Sequence, residues 1–233
     1  MLVGITLPSF QPNAMKVIAL ARESEVAGID GVFAFDHLWP GGDKSRPALS
    51  IYPVLGAVAA ATSSIQVGTL VARFGLVPDR FVIDSLLSLY EMSGRRLVAA
   101  LGVGDAKSRA ENDAFGVEWP TLEDRRVSLA LALGELSAAG IECWVGARSP
   151  ATVKMARRAG VTVNLWDVEL DQLQAEAEKG PVTWAGPLPS DAPSAASRLA
   201  GLREAGASWA IWGWPRSVQL VSEALRLAGM QTR

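Results

Sequence analysis

The stretch WVGARSPATVKMARRAGVTVNLWDV, residues 144–168, holds a complete strand–helix–strand unit. Cys143 to Gly146 reads as a short apolar strand. Ser149 is placed to cap a helix, Pro150 suits its first turn, and the helix runs to Arg158. Val161 to Leu165 reads as the next strand. The same alternation extends in both directions. Towards the N-terminus the strands are Val3 to Leu7, Gly31 to Phe35, Ile65 to Ala72 and Leu97 to Val103. The helices between them are Ala14 to Ala27, Tyr52 to Ala61, Asp79 to Met92 and one from Thr121 to about Ala138. Gly28 and Gly94 stop two of these helices. Towards the C-terminus follow a helix over Leu170 to Ala177, a strand at Val182 to Ala185 and a helix over Ala192 to Ala205. A strand at Trp209 to Trp214 and a helix over Ser217 to Leu227 complete the series. Eight strands, each followed by a helix, at roughly 29 residues per unit, match a minimal (β/α)8 repeat with parallel pairing and right-handed crossovers. A doubly wound sheet has the same alternation, but the eightfold count favours the barrel. The expected architecture is an α/β (β/α)8 TIM barrel, one domain over 1–233 with short loops.

Composition narrows the function. The chain has 233 residues, 49% of them hydrophobic and 20% charged, which is a globular balance. Lys and Arg number 22 against 24 Asp and Glu, so no basic excess points to nucleic acid. No apolar run is long enough to span a bilayer, and MLVGITLP reads as a strand entering a turn, so a cytoplasmic protein is expected. A single cysteine, Cys143, and a single histidine, His37, cannot form an internal disulfide or a Cys/His zinc site, and no metal site is expected. Any histidine chemistry within the subunit falls to His37.

Barrel active sites lie at the C-terminal ends of the strands. That rim collects Asp36, His37 and Trp39 after the second strand, Leu70 to Arg73 after the third, and Gly102 to Lys107 after the fourth. It also collects Gly146 to Thr152, Trp166, Trp184, Trp212 and Trp214. His37 is a candidate proton carrier because imidazole titrates near neutrality, and Asp36 is a candidate orienting group. Gly102 to Lys107 is neither a Rossmann fingerprint nor a P-loop, but Gly104 lets a ligand approach the backbone. Ser149 and Thr152, at a helix start, form the best candidate anion site, with Ala147 beside it and Arg148 able to add charge. The tryptophans, Trp166 above all, are candidates to wall a pocket for a flat ring, with Trp39 a candidate on the substrate side. Arg73 is a candidate for an anionic substrate, or equally for a surface ion pair. The strongly apolar helices 52–61 and 79–92 point to a homodimer formed through that side.

Four motifs carry a resemblance: GIDGVFAFDHLW at 28–39, AAATSSIQVGTLV at 59–71, MSGRRLVAALGVG at 92–104 with AFGV at 114–117, and the stretch at 144–168. With these the sequence resembles the luciferase-like monooxygenases, in particular the branch that uses the deazaflavin coenzyme F420. The resemblance implies a (β/α)8 barrel binding F420, or alternatively FMN, with hydride transfer to or from a small organic substrate. It implies that Asp36 and His37 face the deazaflavin, and that Leu70-Val71 forms a bulged, non-prolyl cis peptide backing the ring. Ser149 and Thr152 would hold the cofactor phosphate, and Gly104, Ala147, Arg148 and Trp166 would line the site. Two departures stand out. The segment Ser137 to Glu142 is trimmed where relatives carry an insertion, and Asp105 stands where many carry a basic or hydroxyl residue, with Lys107 and Arg109 as compensating charges. FMN-dependent monooxygenation and a non-catalytic flavin-binding barrel are the alternatives within the family. A metal-dependent lyase using Asp36, Asp105 and Asp167 is the alternative outside it.

Overall fold

The computed structural model describes residues 1–40, 43–214 and 217–230, with the side chain of Lys107 outside the described part. Eight parallel strands close into a barrel in sequence order: β1 (Leu2–Thr6), β2 (Gly31–Ala34), β3 (Gln66–Arg73), β4 (Leu97–Gly102), β5 (Glu142–Gly146), β6 (Thr162–Trp166), β7 (Val182–Gly186) and β8 (Ala207–Trp212). Strand β8 pairs with β1 to close it, through Leu2–Trp209 to Ile5–Trp212. The connecting helices are α1 (Ala14–Val26), α2 (Ile51–Ala61), α3 (Asp79–Met92), α4 (Arg109–Phe115), α5 (Leu122–Ala138), α6 (Pro150–Arg158), α7 (Leu170–Ala177), α8 (Ala192–Glu204) and α9 (Val218–Leu227). The expected barrel is therefore present. Among the described residues, the elements beyond the eightfold scheme are a 3-10 turn at Ala106–Ser108 and the α4 that follows it, between β4 and α5.

Helix ends follow the local chemistry. Asn13, Thr121, Ser149 and Asp191 each accept a hydrogen bond from a first-turn amide of the helix they precede. Gly28 and Gly94, the expected stops, adopt φ of +74° and +65°, a region where a side chain is disfavoured.

Large rings facing glycines fill the barrel interior. Phe33, Trp144 and Trp209 meet with centroids 5.4–5.6 Å apart. A Cβ at Gly4 would lie 2.7 Å from the Phe33 ring, one at Gly68 2.5 Å from the same ring, and one at Gly31 2.8 Å from Trp209. The glycines on β1, β2 and β3 thus supply the volume that the aromatics on β2, β5 and β8 occupy.

Side-chain alternation along a strand decides where the other tryptophans go. Ala185 and Ile211 belong to the interior cluster, so their neighbours Trp184 and Trp212 face the helices. There both are fully buried and stack edge to face at 5.3 Å, with Trp184 Nε1 donating to the Val168 carbonyl. The expectation that these two line a ring pocket is corrected.

Two polar brackets tie the layers together. Glu25 on α1 accepts from the N–H groups of Ser63, Ser64 and Ile65, where the chain enters β3. Arg96 donates to the carbonyls of Ala59, Thr62, Ile65 and Ser93, joining the end of α2 to the entry of β4. Among the described residues, no helix is long and apolar enough to cross a membrane.

Candidate functional site

A cavity of about 520 Å³ opens at the C-terminal rim, a size suited to a small-molecule ligand. Most of the sequence-derived candidates line it: Asp36, His37, Leu70, Val71, Arg73, Gly104, Asp105, Ala147, Arg148, Ser149, Thr152 and Trp166.

On one wall β3 carries a non-prolyl cis peptide at Leu70–Val71, and its register against β4 shifts between Leu70 and Ala72. Both features were expected from the resemblance alone, since nothing in Leu and Val specifies them. The neighbouring strands accommodate Val71 by omitting side chains. A Cβ at Gly146 would lie 2.7 Å from its Cγ1, and one at Gly102 would collide with its Cγ2.

On the β2 side, His37 Nδ1 lies 2.8 Å from Glu111 Oε1. Glu111 comes from α4 and is buried. Its other oxygen accepts from the Leu38 N–H at 3.0 Å and from Arg73 Nη2 at 3.0 Å. Burial alone would raise the Glu111 carboxyl. The His37 contact, the Leu38 N–H and the Arg73 charge more than reverse this and hold it below the usual range. An ionised carboxylate only accepts, so His37 carries its hydrogen on Nδ1 and keeps Nε2 as the proton-accepting nitrogen.

Asp36 Oδ2 accepts from the Arg73 backbone N–H at 2.9 Å. Burial pushes its carboxyl up, the Arg73 N–H and the charges of Arg73 and His37 oppose this, and Glu111 reinforces it.

Of the two readings of Arg73, an anionic-substrate contact and a surface ion pair, the structure has an ion pair, buried and not at the surface: Arg73 lines the cavity, but its side chain is 2% exposed and its guanidinium bonds Glu111. Trp39 is a correction. It is half-buried, does not line the cavity, and sits under the Lys44 ammonium at 5.2 Å. The chain is fixed at the preceding residue by the Leu38–Glu111 bond, and beyond it the ring leaves the mouth.

At α6, Ser149 Oγ accepts from the Thr152 N–H at 3.3 Å and lies 2.9 Å from Thr152 Oγ1. Arg126 on α5 donates to both hydroxyls, at 3.2 Å and 3.3 Å. Arg126 was not singled out in the sequence, where it reads as half of an i,i+3 pair with Glu123. A third arginine, Arg125, is buried against Trp119, with its guanidinium carbon 3.9 Å from the ring centre, and donates to the Val103 carbonyl. Burial lowers its pKa, and the charges of Arg73 and Arg126 lower it further. This arm of the site is therefore electropositive.

Asp105 works against that less than its charge suggests. Its Oδ1 accepts from Ser108 N–H and Oγ, both at 3.2 Å, and so caps the turn into α4. Arg109 is exposed and does not line the cavity.

The three carboxylates of the lyase reading divide between cavities: Asp36 and Asp105 line this one, and Asp167 lines another. Among the described residues, no three His, Cys, Asp or Glu side chains gather as a metal site.

A family described as luciferase-like monooxygenase matches residues 1–130. An F420-dependent glucose-6-phosphate dehydrogenase of Microbacterium testaceum (strain StLB037) is 30% identical over 141 residues, 60% of this chain and 39% of that protein. A 5,10-methylenetetrahydromethanopterin reductase of Methanolobus tindarius is 27% identical over 208 residues, 77% of this chain and 60% of that one. The chain thus matches under two thirds of the length of these relatives. Among solved structures, an F420-dependent secondary alcohol dehydrogenase in complex with an F420-acetone adduct superposes with a TM-score of 0.81 at 13% identity, over 97% of this chain and 98% of that one. At that identity the likeness establishes the fold.

Proposed function

The chain belongs to the luciferase-like monooxygenase family, and on that premise we propose that it is an oxidoreductase that holds coenzyme F420 in the rim cavity. Its reaction is hydride transfer between F420 and a small organic substrate. The observation that carries this reading is the arrangement of one cavity. A histidine–glutamate pair stands after β2, an arginine-backed hydroxyl pair stands at α6, and the apolar bulge of β3 and the end of β4 lie between them.

The residues fit the cofactor. The Leu70–Val71 segment offers an apolar wall for a flat ring, and Trp166 offers an aromatic one. Ser149, Thr152 and Arg126, with exposed Arg148 beside them, suit a phosphate at a helix N-terminus.

When bound, F420 supplies a ring carbon that accepts or returns a hydride. The protein does the rest. For an alcohol substrate the hydride leaves carbon while the hydroxyl proton passes to His37 Nε2. In reverse, Nε2 returns it to the carbonyl oxygen. Glu111 keeps the imidazole in the required tautomer and stabilises its protonated form. Asp36 anchors β3 against β2 through the Arg73 N–H and orients the His37 loop.

The reading extends to a cytosolic protein of one domain that pairs with a second copy through the outer faces of α2 and α3. Phe81 and Met92 are exposed there, at 52% and 66%. Light scattering of wild type and of Phe81→Lys/Met92→Lys tests the pairing, and a wild-type monomer overturns it.

The central test is titration with F420 and with FMN, read by absorbance and thermal shift. Saturation with F420 at 100 times its Kd should stabilise the fold by about 2.7 kcal/mol. FMN binding without F420 binding moves the chain to the monooxygenase branch, and binding of neither overturns the proposal. With an active substrate, His37→Ala should retain F420 affinity and lose at least about 100-fold in kcat.

A further inference from the structure

A second cavity, of about 640 Å³, adjoins the first and shares two of its walls, Phe35 and Trp166. Their rings meet edge to face at 5.8 Å, and Phe10 stacks on Phe35 at 6.0 Å with His37 beyond it at 6.5 Å. His37 lines the adjoining first cavity, so the Phe35 and Phe10 rings stand between it and a molecule lying in the second.

The chemistry of this compartment differs from that of the cofactor cavity. Phe35, Trp166, Leu188, Leu220, Trp214 and two prolines make most of its wall, and Trp214 is 46% exposed. Among the described lining residues Asp167 is the only charged one. Its carboxylate makes no hydrogen bond or ion pair with the described residues. Its backbone, at φ +53°, is pinned by its N–H on the Ala185 carbonyl at 2.7 Å.

We propose that this compartment binds the body of the substrate, and that the substrate is an apolar ring compound, neutral or bearing an ammonium group, with its alcohol or carbonyl extended past Phe35 and Phe10 into the first cavity, towards His37. The proposal rests on the oxidoreductase reading for the last clause alone; the compartment and its charge preference stand on the lining residues. Aromatic and aliphatic walls select a ring body. Asp167 attracts an ammonium and penalises an anion, which would lose water beside a carboxylate without gaining a described cation. Sugar phosphates are on this argument poor ligands, in contrast to the substrate in the names of several relatives.

The test uses the purified chain without cofactor and four probes: 1-(2-naphthyl)ethanol, its 6-aminomethyl and 6-carboxylate derivatives, and glucose 6-phosphate. Binding is measured by calorimetry. The neutral and ammonium probes should bind, the ammonium severalfold tighter, and the carboxylate and glucose 6-phosphate at least tenfold weaker than the neutral one. Asp167→Asn should bring the three naphthyl probes within about threefold of one another. Asn tolerates positive φ, so the backbone is kept. As a gain-of-function variant, Leu220→Arg should reverse the preference in favour of the carboxylate.

The proposal is overturned if no naphthyl probe binds. It is also overturned if the carboxylate or glucose 6-phosphate matches the neutral probe, or if neither variant moves the order. A separate F420 titration keeps the two readings apart. Probes that bind a chain indifferent to F420 refute the cofactor, and F420 binding without probe binding refutes the compartment.

Discussion

Glu111→Gln is the sharpest perturbation of the site, because it removes one charge and almost no volume. Glu111 and Arg73 form a buried pair, 4% and 2% exposed at their side chains. Apart from Glu111, the Arg73 guanidinium has one long contact, 3.4 Å to the Ser108 carbonyl, and its Nε has no partner among the described residues. The substituted amide leaves that guanidinium buried without a carboxylate bonded to it. Uncoupling a buried pair in this way costs about 3–5 kcal/mol, and the oxygen retained for the Leu38 N–H places the expectation near the lower end, about 3 kcal/mol. For a chain of this length that is a fall in Tm of roughly 6–12 °C.

Urea unfolding followed by circular dichroism at 222 nm measures it, with an unchanged m-value as the sign that the native state is intact. The double variant Glu111→Leu/Arg73→Met removes both charges and should recover most of the loss. The loss also has a pH signature. The folded carboxyl is held below its unfolded value, so the stabilisation is complete above roughly pH 4.5 and fades as pH falls through the lower folded value. A cost under about 1 kcal/mol at pH 7, or a double variant as unstable as the single one, refutes the picture of a charge-compensated pair.

Other expectations follow from the same structure. Arg126→Ala should raise the Kd for F420 about tenfold through loss of a charge-assisted contact, and titration of folded variant and wild type side by side checks it. Glu25→Ala should cost about 1–2 kcal/mol at pH 7. Burial opposes the shift of the Glu25 carboxyl, yet four hydrogen bonds from Ser63, Ser64 and Ile65 hold it at about 2, and the full value of such a shift is discounted here for solvent access. That advantage is present above about pH 4.5 and gone as pH falls through about 2, so the two proteins should converge in acid unfolding. Gly68→Ala should cost about 1–3 kcal/mol by pressing on Phe33, and Phe33→Leu in the same chain should return part of it.

The barrel was legible because eight apolar runs recur between capped helices, and caps such as Ser149-Pro150 signal themselves locally. The interior was less so. Trp184 lies within β7, which runs on to Gly186, and not at its rim; only the parity of the strand shows that its ring points outward. The site divides the same way. His37 is visible as the sole histidine after an apolar run, but Glu111 is 74 residues away in a segment with no apolar period, and it reaches His37 only because α4 folds back over β2 and β3. Arg126 is hidden for the opposite reason. Its segment is so regular that the residue reads as ordinary helix surface, and its partners become apparent only when α5 and α6 pack side by side.

Arg73 joins these observations. Its backbone N–H fastens Asp36, its guanidinium neutralises Glu111, and a Cβ at Gly104 would press on its Cδ at 2.8 Å. One residue therefore locks the ends of β2, β3 and β4 together with α4. A side chain so committed has no charge left for a ligand, so the anion-binding capacity of the cavity falls to Arg126 and Arg148 at α6. The proton-handling group is held at the other wall by Glu111. In the proposed reading this separation would orient the cofactor: Ser149, Thr152 and Arg126 would hold its phosphate at α6, the bulge of β3 would back its ring, and His37 would serve the substrate side. Moving a positive charge to the His37 side, as in Phe10→Arg, should then weaken F420 binding or shift its ring spectrum. An unchanged affinity and spectrum refutes charge separation as the orienting device.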